Sequence, residues 1–480
     1  MIKNLSQVQS LEYDFIIVGT GPAGITTALE LEKNKKTVLL LEGGGMEHSE
    51  ESQSIYNGSV VGNMNFDIKR SRVRYFGGSS NHWGGMSRPF SESELSAFPI
   101  NKKDLDLYLS NACAVLEISD QFIKDKEINA DFERIEFKYS PPVRFNSKYK
   151  KSIIDSNFID LVLNANLVEI SGDNGKVSHI NVSDQNLNFS RLKVNKLVLA
   201  CGGLENSRLL LWSQYLNKEL FANLPIGKKW MEHPHFSTGE IVLHESDLQA
   251  IFGESNLEGK SEKFFLQPTK SLMVAKKINH AGIRFAIDYS DSKLKKVIKD
   301  ILCINPEYGE KLVKSLLKKN LMCTTQVNIA WEQSPRESNK VSLNFNKKDI
   351  FGIPQILLEW KIDKQDKKTA LVCMQRLSKL FLDVDIGRVG IFEYLYHHYS
   401  AIDEKYGGGC CTMGRHHMGG TPIGVSTLDG VVDSNLKVFN IDNLWVSGSS
   451  TFASGGHVNP TLTIVQFAMR LGQHLSSTLV

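Results

Sequence analysis

The sequence predicts an α/β fold, α+β overall, in which a domain built on a parallel sheet carries an inserted second domain that is also sheet-based. The apolar runs Tyr13–Val18 and Thr37–Leu41 are typical of buried strands, and a glycine-rich turn and a helix-like stretch separate them. Strand-like alternation dominates a later region, from about residue 235 to 399, as in Lys340–Phe345. This change of pattern predicts the second domain.

The chain of 480 residues is long for one domain, so two interleaved domains are expected. We assign residues 1–100, 155–235 and 405–480 to a discontinuous first domain, because these segments hold the recognisable motifs. Residues 101–154 and 236–404 are assigned to the second domain, which would bind the substrate.

Composition narrows the function classes. A net charge of +3 with thinly spread Lys and Arg does not favour nucleic acid or an anionic membrane as a partner. Seven cysteines without C-x-x-C pairs indicate neither a disulfide framework nor a metal site, and adjacent Cys410 and Cys411 are expected to be a buried pair. Met1–Glu12 is polar, and the chain lacks an apolar run long enough to span a membrane, so a cytoplasmic location is expected.

The turn after the first predicted strand has the pattern G-x-G-x-x-G, and Glu42 ends the next strand 18 residues after Gly24. In a Rossmann-like unit Gly19 permits the tight turn, Gly21 admits a pyrophosphate, and Gly24 lets helix pack on strand. The free N–H groups of the helix N-terminus attract the anion, and Glu42 accepts hydrogen bonds from ribose hydroxyls. This unit predicts a dinucleotide site but does not distinguish FAD from NAD.

Four further segments occur in a recognisable order: Phe76–Gly85, Arg415–Thr421, Gly430–Ser450 and His457–Leu475. Together with the glycine-rich turn they resemble the glucose–methanol–choline (GMC) oxidoreductase family, in particular its bacterial sugar- and alcohol-oxidising members similar to pyranose oxidase. The resemblance implies FAD on a Rossmann-like domain, a sheet-based substrate domain, and oxidation of an alcohol by hydride transfer to flavin N5. A ring hydroxyl of a carbohydrate is the favoured substrate.

The resemblance also implies a catalytic pair. The family pair is a His in an H-x-x-G-T or H-x-x-G-G motif and a His or Asn near the end of the chain. His417 matches the first member of the pair, and Asn459 matches the second in its Asn form. Alcohol oxidation needs a base of near-neutral pKa, which His417 supplies, and a donor to the developing alkoxide, which Asn459 supplies. Asn459 before Pro460 also fits a helix N-cap. His416 and His457 are expected to be supporting polar residues.

The remaining cofactor contacts follow from the resemblance. His82 lies in an S-x-H-W context, in which some family members bond the histidine to the flavin 8α-methyl carbon; a non-covalent contact is the alternative. The other expected FAD contacts are Gly78, Ser79, Val168, Ala200, Gly202, Gly448, Ser449, Asn459 and Thr461. Gly448 replaces the acidic residue that the family commonly has there.

Two alternatives to a sugar oxidoreductase stay open. Some relatives are FAD-containing lyases without net redox change, and the alcohol oxidised could be a non-sugar. An NAD-dependent dehydrogenase and an inactive flavin carrier are less consistent with the paired His417 and Asn459 motifs. The sequence does not decide between oxidase and dehydrogenase, nor does it identify the electron acceptor or the oligomeric state.

Overall fold

A computed structural model describes residues 1–62, 66–243, 262–286, 301–302, 305–317, 325–396 and 414–477; Cys410 and Cys411 lie outside these ranges. Its strands are β1 (Phe15–Val18), β2 (Val38–Leu41), β3 (Gly58–Gly62), β4 (Met86–Ser87), β5 (Lys126–Glu127), β6 (Phe132–Tyr139), β7 (Ile159–Val162), β8 (Asn166–Asp173), β9 (Lys176–Ser183), β10 (Phe189–Lys193), β11 (Leu197–Leu199), β12 (His235–Leu243), β13 (Glu262–Pro268), β14 (Ala281–Ala286), β15 (Thr325–Trp331), β16 (Lys340–Lys348), β17 (Pro354–Trp360), β18 (Gly387–Ile391) and β19 (Leu444–Val446).

The helices carry the side chains that cover these sheets. They are α1 (Leu5–Val8), α2 (Pro22–Lys33), α3 (Glu50–Ser54), α4 (Lys102–Asp106), α5 (Leu109–Leu116), α6 (Phe145–Ile154), α7 (Gly202–Leu216), α8 (Lys270–Lys276), α9 (Pro306–Leu317), α10 (Lys364–Asp383) and α11 (Thr461–Ser477). In the described parts of the chain, every helix is too short or too polar to cross a membrane.

The predicted parallel sheet is present, with the strand order β19–β11–β1–β2–β7. All of its pairings are parallel, and β1 lies between β2 and β11. Its strands are buried on both faces, as their unbroken apolar runs predict. The strands β2 and β7 lie on one side of β1, and β11 and β19 lie on the other. Because the strand order reverses at β1, a crevice opens at its carboxyl end, where Gly19 begins the glycine-rich turn. The α/β prediction is confirmed.

The second large sheet is antiparallel, with the order β18–β12–β15–β14–β13–β6–β4 and β5 paired to β6. One face packs on α10, where Phe236, Ile283, Val327 and Ile329 are fully buried in a common apolar cluster. The alternate residues of the same strands are only half-buried, as a strand with one open face requires.

The C-terminal helix α11 packs on α2, so the end of the chain covers its beginning. It starts at Thr461, directly after Pro460, and buries an apolar face that includes Leu462, Val465 and Leu471.

The two-domain division is a proposal that two separate apolar clusters support, one around the parallel sheet and one between the antiparallel sheet and α10. Within the predicted second-domain segment 101–154, β6 belongs to the antiparallel sheet, whereas α4 and α5 contact α11 and α6 contacts α2. The helices of that segment therefore pack with the parallel-sheet layer.

Candidate active site

The glycine-rich turn has the geometry that a pyrophosphate cradle needs. A Cβ on Gly19, whose φ is +105°, would lie 2.5 Å from the carbonyl oxygen of Ala200. A Cβ on Gly24 would lie 1.9 Å from the carbonyl oxygen of Gly19, so only glycine lets α2 approach the turn this closely. Gly21, by contrast, has no neighbouring atom within 4 Å of its Cβ direction, and Pro22 follows as the first residue of α2. The turn thus leaves open space at a helix N-terminus, where an anion is stabilised.

Glu42 lies at the carboxyl end of β2 and is buried beside this turn. Its carboxylate accepts hydrogen bonds from the Thr20 backbone N–H (3.1 Å), the Thr20 hydroxyl (2.5 Å) and the Gly44 backbone N–H (2.8 Å). Three donors fix the orientation of the carboxylate. A cavity of about 70 Å³ adjoins it, lined in part by Gly19, Glu42, Ala165, Asn166, Leu167 and Cys201. The cavity lies beside Glu42, where the ribose of a dinucleotide bound in this way would be.

Val168 does not line that cavity, whereas the three residues before it do. Its backbone carbonyl accepts a hydrogen bond from the indole N–H of Trp212 at 3.0 Å. The expected contact of the Val168 backbone with FAD stays a prediction.

The Phe76–Gly85 loop lies against the glycine-rich turn. The Gly77 backbone N–H donates to the Thr20 carbonyl at 3.1 Å, and a Cβ on Gly78 would lie 3.0 Å from the Cα of Gly21. Ser79 follows in a short 3-10 helix that ends at His82. The His82 ring is exposed, with its Nε2 3.4 Å from the Tyr75 hydroxyl. The loop is thus placed to cover a bound cofactor.

A second loop approaches from the other side, after β19. Gly448 has a φ of +115°, and its added Cβ would lie 3.9 Å from the Cβ of Ala23 in the first turn of α2. The neighbouring Ser447 hydroxyl is buried with no hydrogen-bond partner, whereas the Ser449 hydroxyl donates to the carbonyl of His417 at 2.6 Å. Gly448 leaves room for a cofactor beside α2, and the Ser447 hydroxyl is free to bond to it. Ala200 and Gly202 border the same crevice at the start of α7.

The structure brings Asn459 to His416, not to His417. The Asn459 Nδ2 lies 3.3 Å from His416 Nε2, whereas His417 Nε2 lies 2.8 Å from the Ser71 hydroxyl. The cause is an antiparallel backbone bridge between Met231 and Met418, which makes this segment extended. Adjacent side chains of an extended chain point to opposite sides, so only one of the two histidines can meet Asn459.

The sequence motif is ambiguous at this point. His417 fits H-x-x-G-T, and His416 fits H-x-x-G-G equally well, through Gly419 and Gly420. The backbone pairing places His416, and not His417, next to Asn459.

His233, which no motif indicated, fixes the tautomer of His416. His233 Nε2 is 3.1 Å from the Gly455 carbonyl, which can only accept, so Nε2 carries the proton. His233 Nδ1 is then an acceptor, and His416 Nδ1, 2.8 Å away, must donate to it. His416 Nε2 consequently keeps its lone pair on the side of Asn459. Burial, followed by the neighbouring imidazoles, holds the pKa of His416 well below 6.5, so the ring is neutral.

Glu232 holds the two segments together. One carboxylate oxygen, Oε1, accepts from the backbone N–H of His416 (2.6 Å) and of His233 (2.9 Å). The other, Oε2, lies 3.6 Å from His417 Nδ1. Burial raises the pKa of Glu232 to about 8 and lowers that of His417 to about 3. At neutral pH both groups are therefore uncharged, and the contact is not an ion pair.

His457 lies in a buried polar contact, and its supporting role stays a prediction. Its Nδ1 lies 3.0 Å from Glu94, and both side chains are almost fully buried. Next to them, His280 Nδ1 is 2.8 Å from Glu332. The four residues form a buried network beneath the 454–459 loop that carries Asn459. Within the described ranges, no group of three or more His, Cys, Asp or Glu side chains is arranged to hold a metal ion.

Comparison with known proteins shows which proteins this chain is similar to. Residues 335–468 match the family model of the C-terminal GMC oxidoreductase region. The whole structure resembles pyridoxine 4-oxidase from Mesorbium loti, with a TM-score of 0.62 and 12% identity over 96% of this chain and 99% of that one. Residues 335–468 are thus similar to the GMC oxidoreductases, and the whole chain has the fold of pyridoxine 4-oxidase. A formate oxidase from Aspergillus oryzae, in a structure concerning its FAD modification, gives a TM-score of 0.56 at 14% identity, covering 98% of this chain and 99% of that one.

Curated relatives of this protein include two dehydrogenases. The large subunit of fructose dehydrogenase from Gluconobacter japonicus is 23% identical over 62% of this chain and 49% of its own length. The 2-methyl-1,2-propanediol dehydrogenase of Mycolicibacterium austroafricanum is 26% identical over 30% of this chain and 24% of its own. The matches thus span about half and about a quarter of these relatives.

Replacing Glu232 by Gln should change how stability depends on pH. The folded pKa of Glu232, about 8, exceeds its ordinary value of 4.5, so only the unfolded chain releases this proton between the two values. Stability from this group is therefore complete below pH 4.5 and is lost as pH rises to about 8. The melting temperature of the Glu232→Gln variant should therefore fall less between about pH 5 and pH 8 than that of the wild type. The exposed Glu337→Gln variant is the control, and parallel curves for all three proteins would contradict the assignment.

Proposed function

We propose that this protein binds FAD and oxidises the CH–OH group of a small alcohol, with His416 as the general base and Asn459 as its hydrogen-bonding partner. The observation that carries the proposal is the unprotonated Nε2 of His416, held beside Asn459 by the His233 relay. The crevice around Gly21, Glu42 and Gly448 supports the assignment of FAD as the cofactor.

FAD, when bound, accepts the hydride. The protein's own contribution is to take the hydroxyl proton at His416 Nε2, while the Asn459 amide donates to the substrate oxygen as negative charge develops on it. A neutral, desolvated imidazole suits this task because it needs no prior deprotonation. After proton transfer, the imidazolium keeps its Nδ1–H bonded to His233, so its orientation does not change. The N-terminus of α11, at Thr461, adds a positive dipole end next to Asn459.

A carbohydrate hydroxyl is the favoured substrate. Fructose dehydrogenase and the propanediol dehydrogenase, whose names specify alcohol oxidation, support a CH–OH substrate in general. A non-sugar alcohol and a non-redox lyase of the same family are the alternatives. Anaerobic mixing with a panel of sugars and alcohols distinguishes them, because only an oxidoreductase bleaches the flavin.

Replacement of His416, but not of His417, should abolish fast flavin reduction. We expect His416→Gln to slow anaerobic reduction by about 10²-fold or more, since the base is lost. His417→Gln should stay within several-fold of the wild type, because His417 contacts Ser71 and not Asn459. The wild-type rate should fall only at acidic pH, as His416 is protonated well below pH 6.5. Stopped-flow absorbance measures the rates.

Flavin content and thermal unfolding of both variants serve as controls for folding. A large loss in His417→Gln with full activity in His416→Gln would return the role of base to His417. Undiminished reduction in both would refute the mechanism.

His233 should act through the tautomer of His416. In His233→Asn the amide oxygen can still accept the His416 Nδ1–H, whereas His233→Leu offers no acceptor. We expect reduction to slow more than about tenfold in the Leu variant and only slightly in the Asn variant, as for other bases whose orienting partner is lost. Nitrogen-15 NMR of the imidazoles should show the changed tautomer only in His233→Leu. Equal rates in both variants would contradict the relay.

The flavin link at His82 is a separate proposal. His82 is exposed in a loop that lies on the glycine-rich turn, which supports access of its ring to a bound cofactor. If the link forms, acid-precipitated wild-type protein should retain yellow colour, and His82→Ala protein should release it to the supernatant. Complete release of flavin from the wild type would show that the cofactor is held without a covalent bond.

A further inference from the structure

The open face of the antiparallel sheet continues the active site. On the strands whose apolar residues pack on α10, the opposite face carries His235, Ser237, Asn328 and Arg284, all half-buried. This face adjoins the segments that carry His233 and Asn459. His235 follows His233 by two residues, and a Cβ on Gly282 would lie 3.0 Å from the His457 ring.

The strand register arranges these residues in two rows. His235, Ala330 and Gly282 lie side by side on β12, β15 and β14. Ser237, Asn328 and Arg284 form the next row on the same strands. Two residues along a strand separate the rows by roughly 7 Å. The His457 ring covers Gly282, and Ala330 has only a methyl group, so the first row is low between His235 and His457. The second row forms a polar wall beyond it.

Arg284 is the cation in this wall. Three buried arginines pair with carboxylates: Arg72 with Glu205, Arg88 with Asp125 and Arg208 with Asp349. A fourth, Arg74, is enclosed by three neutral acceptors. Among the described residues no carboxylate forms an ion pair with Arg284, and Glu240 in the following row forms none with it. The pKa of His235 is lowered to about 4, first by burial and then by the positive charge of Arg284. The charge of Arg284 therefore acts on the side of the sheet that adjoins the site. A half-buried guanidinium without a counter-ion is costly unless an anion binds there.

We propose that the polar wall is an anion-binding subsite and that the substrate carries a carboxylate or a phosphate besides the hydroxyl that is oxidised. This inference rests on the proposed function for the reaction itself. The planar guanidinium of Arg284 binds either anion through paired hydrogen bonds, and Asn328 and Ser237 beside it add neutral donors. The low first row between His235 and His457 accommodates the rest of the substrate. Hydroxy acids and sugar acids, or their phosphate counterparts, are the expected substrate class.

Matched substrate pairs test the subsite. The FAD-loaded protein is titrated anaerobically with glucose and gluconate, with glycerol and glycerate, and with glycerol 3-phosphate, and both the change of the flavin spectrum and the reduction rate are recorded. We expect the anionic member of each pair to have a dissociation constant about 10- to 100-fold lower than the neutral one. Comparison of glycerate with glycerol 3-phosphate distinguishes carboxylate from phosphate.

Variants separate this inference from the proposed function. Arg284→Gln should lose the preference for the anion while neutral alcohols still bleach the flavin, and Arg284→Lys should retain part of it. The exposed Arg388→Gln, on β18 of the same sheet, should behave as the wild type. An equal affinity for both members in the wild type, no spectral response to any anion, or an unchanged preference in Arg284→Gln would overturn the subsite. Reduction that does not depend on His416 would instead refute the proposed function.

Discussion

The backbone bridge between Met231 and Met418 is the constraint on which the site depends. It places the segments 231–233 and 416–418 in antiparallel register, so that His233 faces His416 and Glu232 can accept from both backbones. Without this pairing the two histidines would have no common orientation, and Asn459 would have no fixed partner. A short length of backbone pairing, rather than a motif, therefore decides which imidazole nitrogen faces the substrate space.

Burial explains why this arrangement is stable. Imidazoles in close contact could not all be charged in a dry interior, and their pKa values are lowered because desolvation penalises the cation. Glu232 likewise holds its proton at neutral pH. The site consists of neutral groups joined by directional hydrogen bonds, and in the proposed mechanism the positive charge is confined to His416.

The parts that were predictable from the sequence are those in which local sequence and local structure agree. The unit β1–α2–β2 could be predicted because unbroken apolar runs, three glycines at fixed spacing and a terminal Glu42 each have a local cause. The family resemblance was also confirmed, because its motifs occur in order along the chain. The choice between His416 and His417 could not be predicted, since both fit a form of the motif and only pairing with the distant residue Met231 separates them. His233 and Glu232 belong to no motif, and their roles arise solely from tertiary contact.

The packing of α11 on α2 has a consequence for biosynthesis. The helix α2, which follows the glycine-rich turn, is covered by α11, one of the last segments of the chain. His233 and Asn459, which flank His416, are separated by more than two hundred residues in the sequence. Contacts of such sequence separation form late in folding. While the ribosome is still synthesising the protein, the first βαβ unit emerges long before its covering helix. The dinucleotide crevice therefore acquires its final walls only after nearly the whole chain has been released.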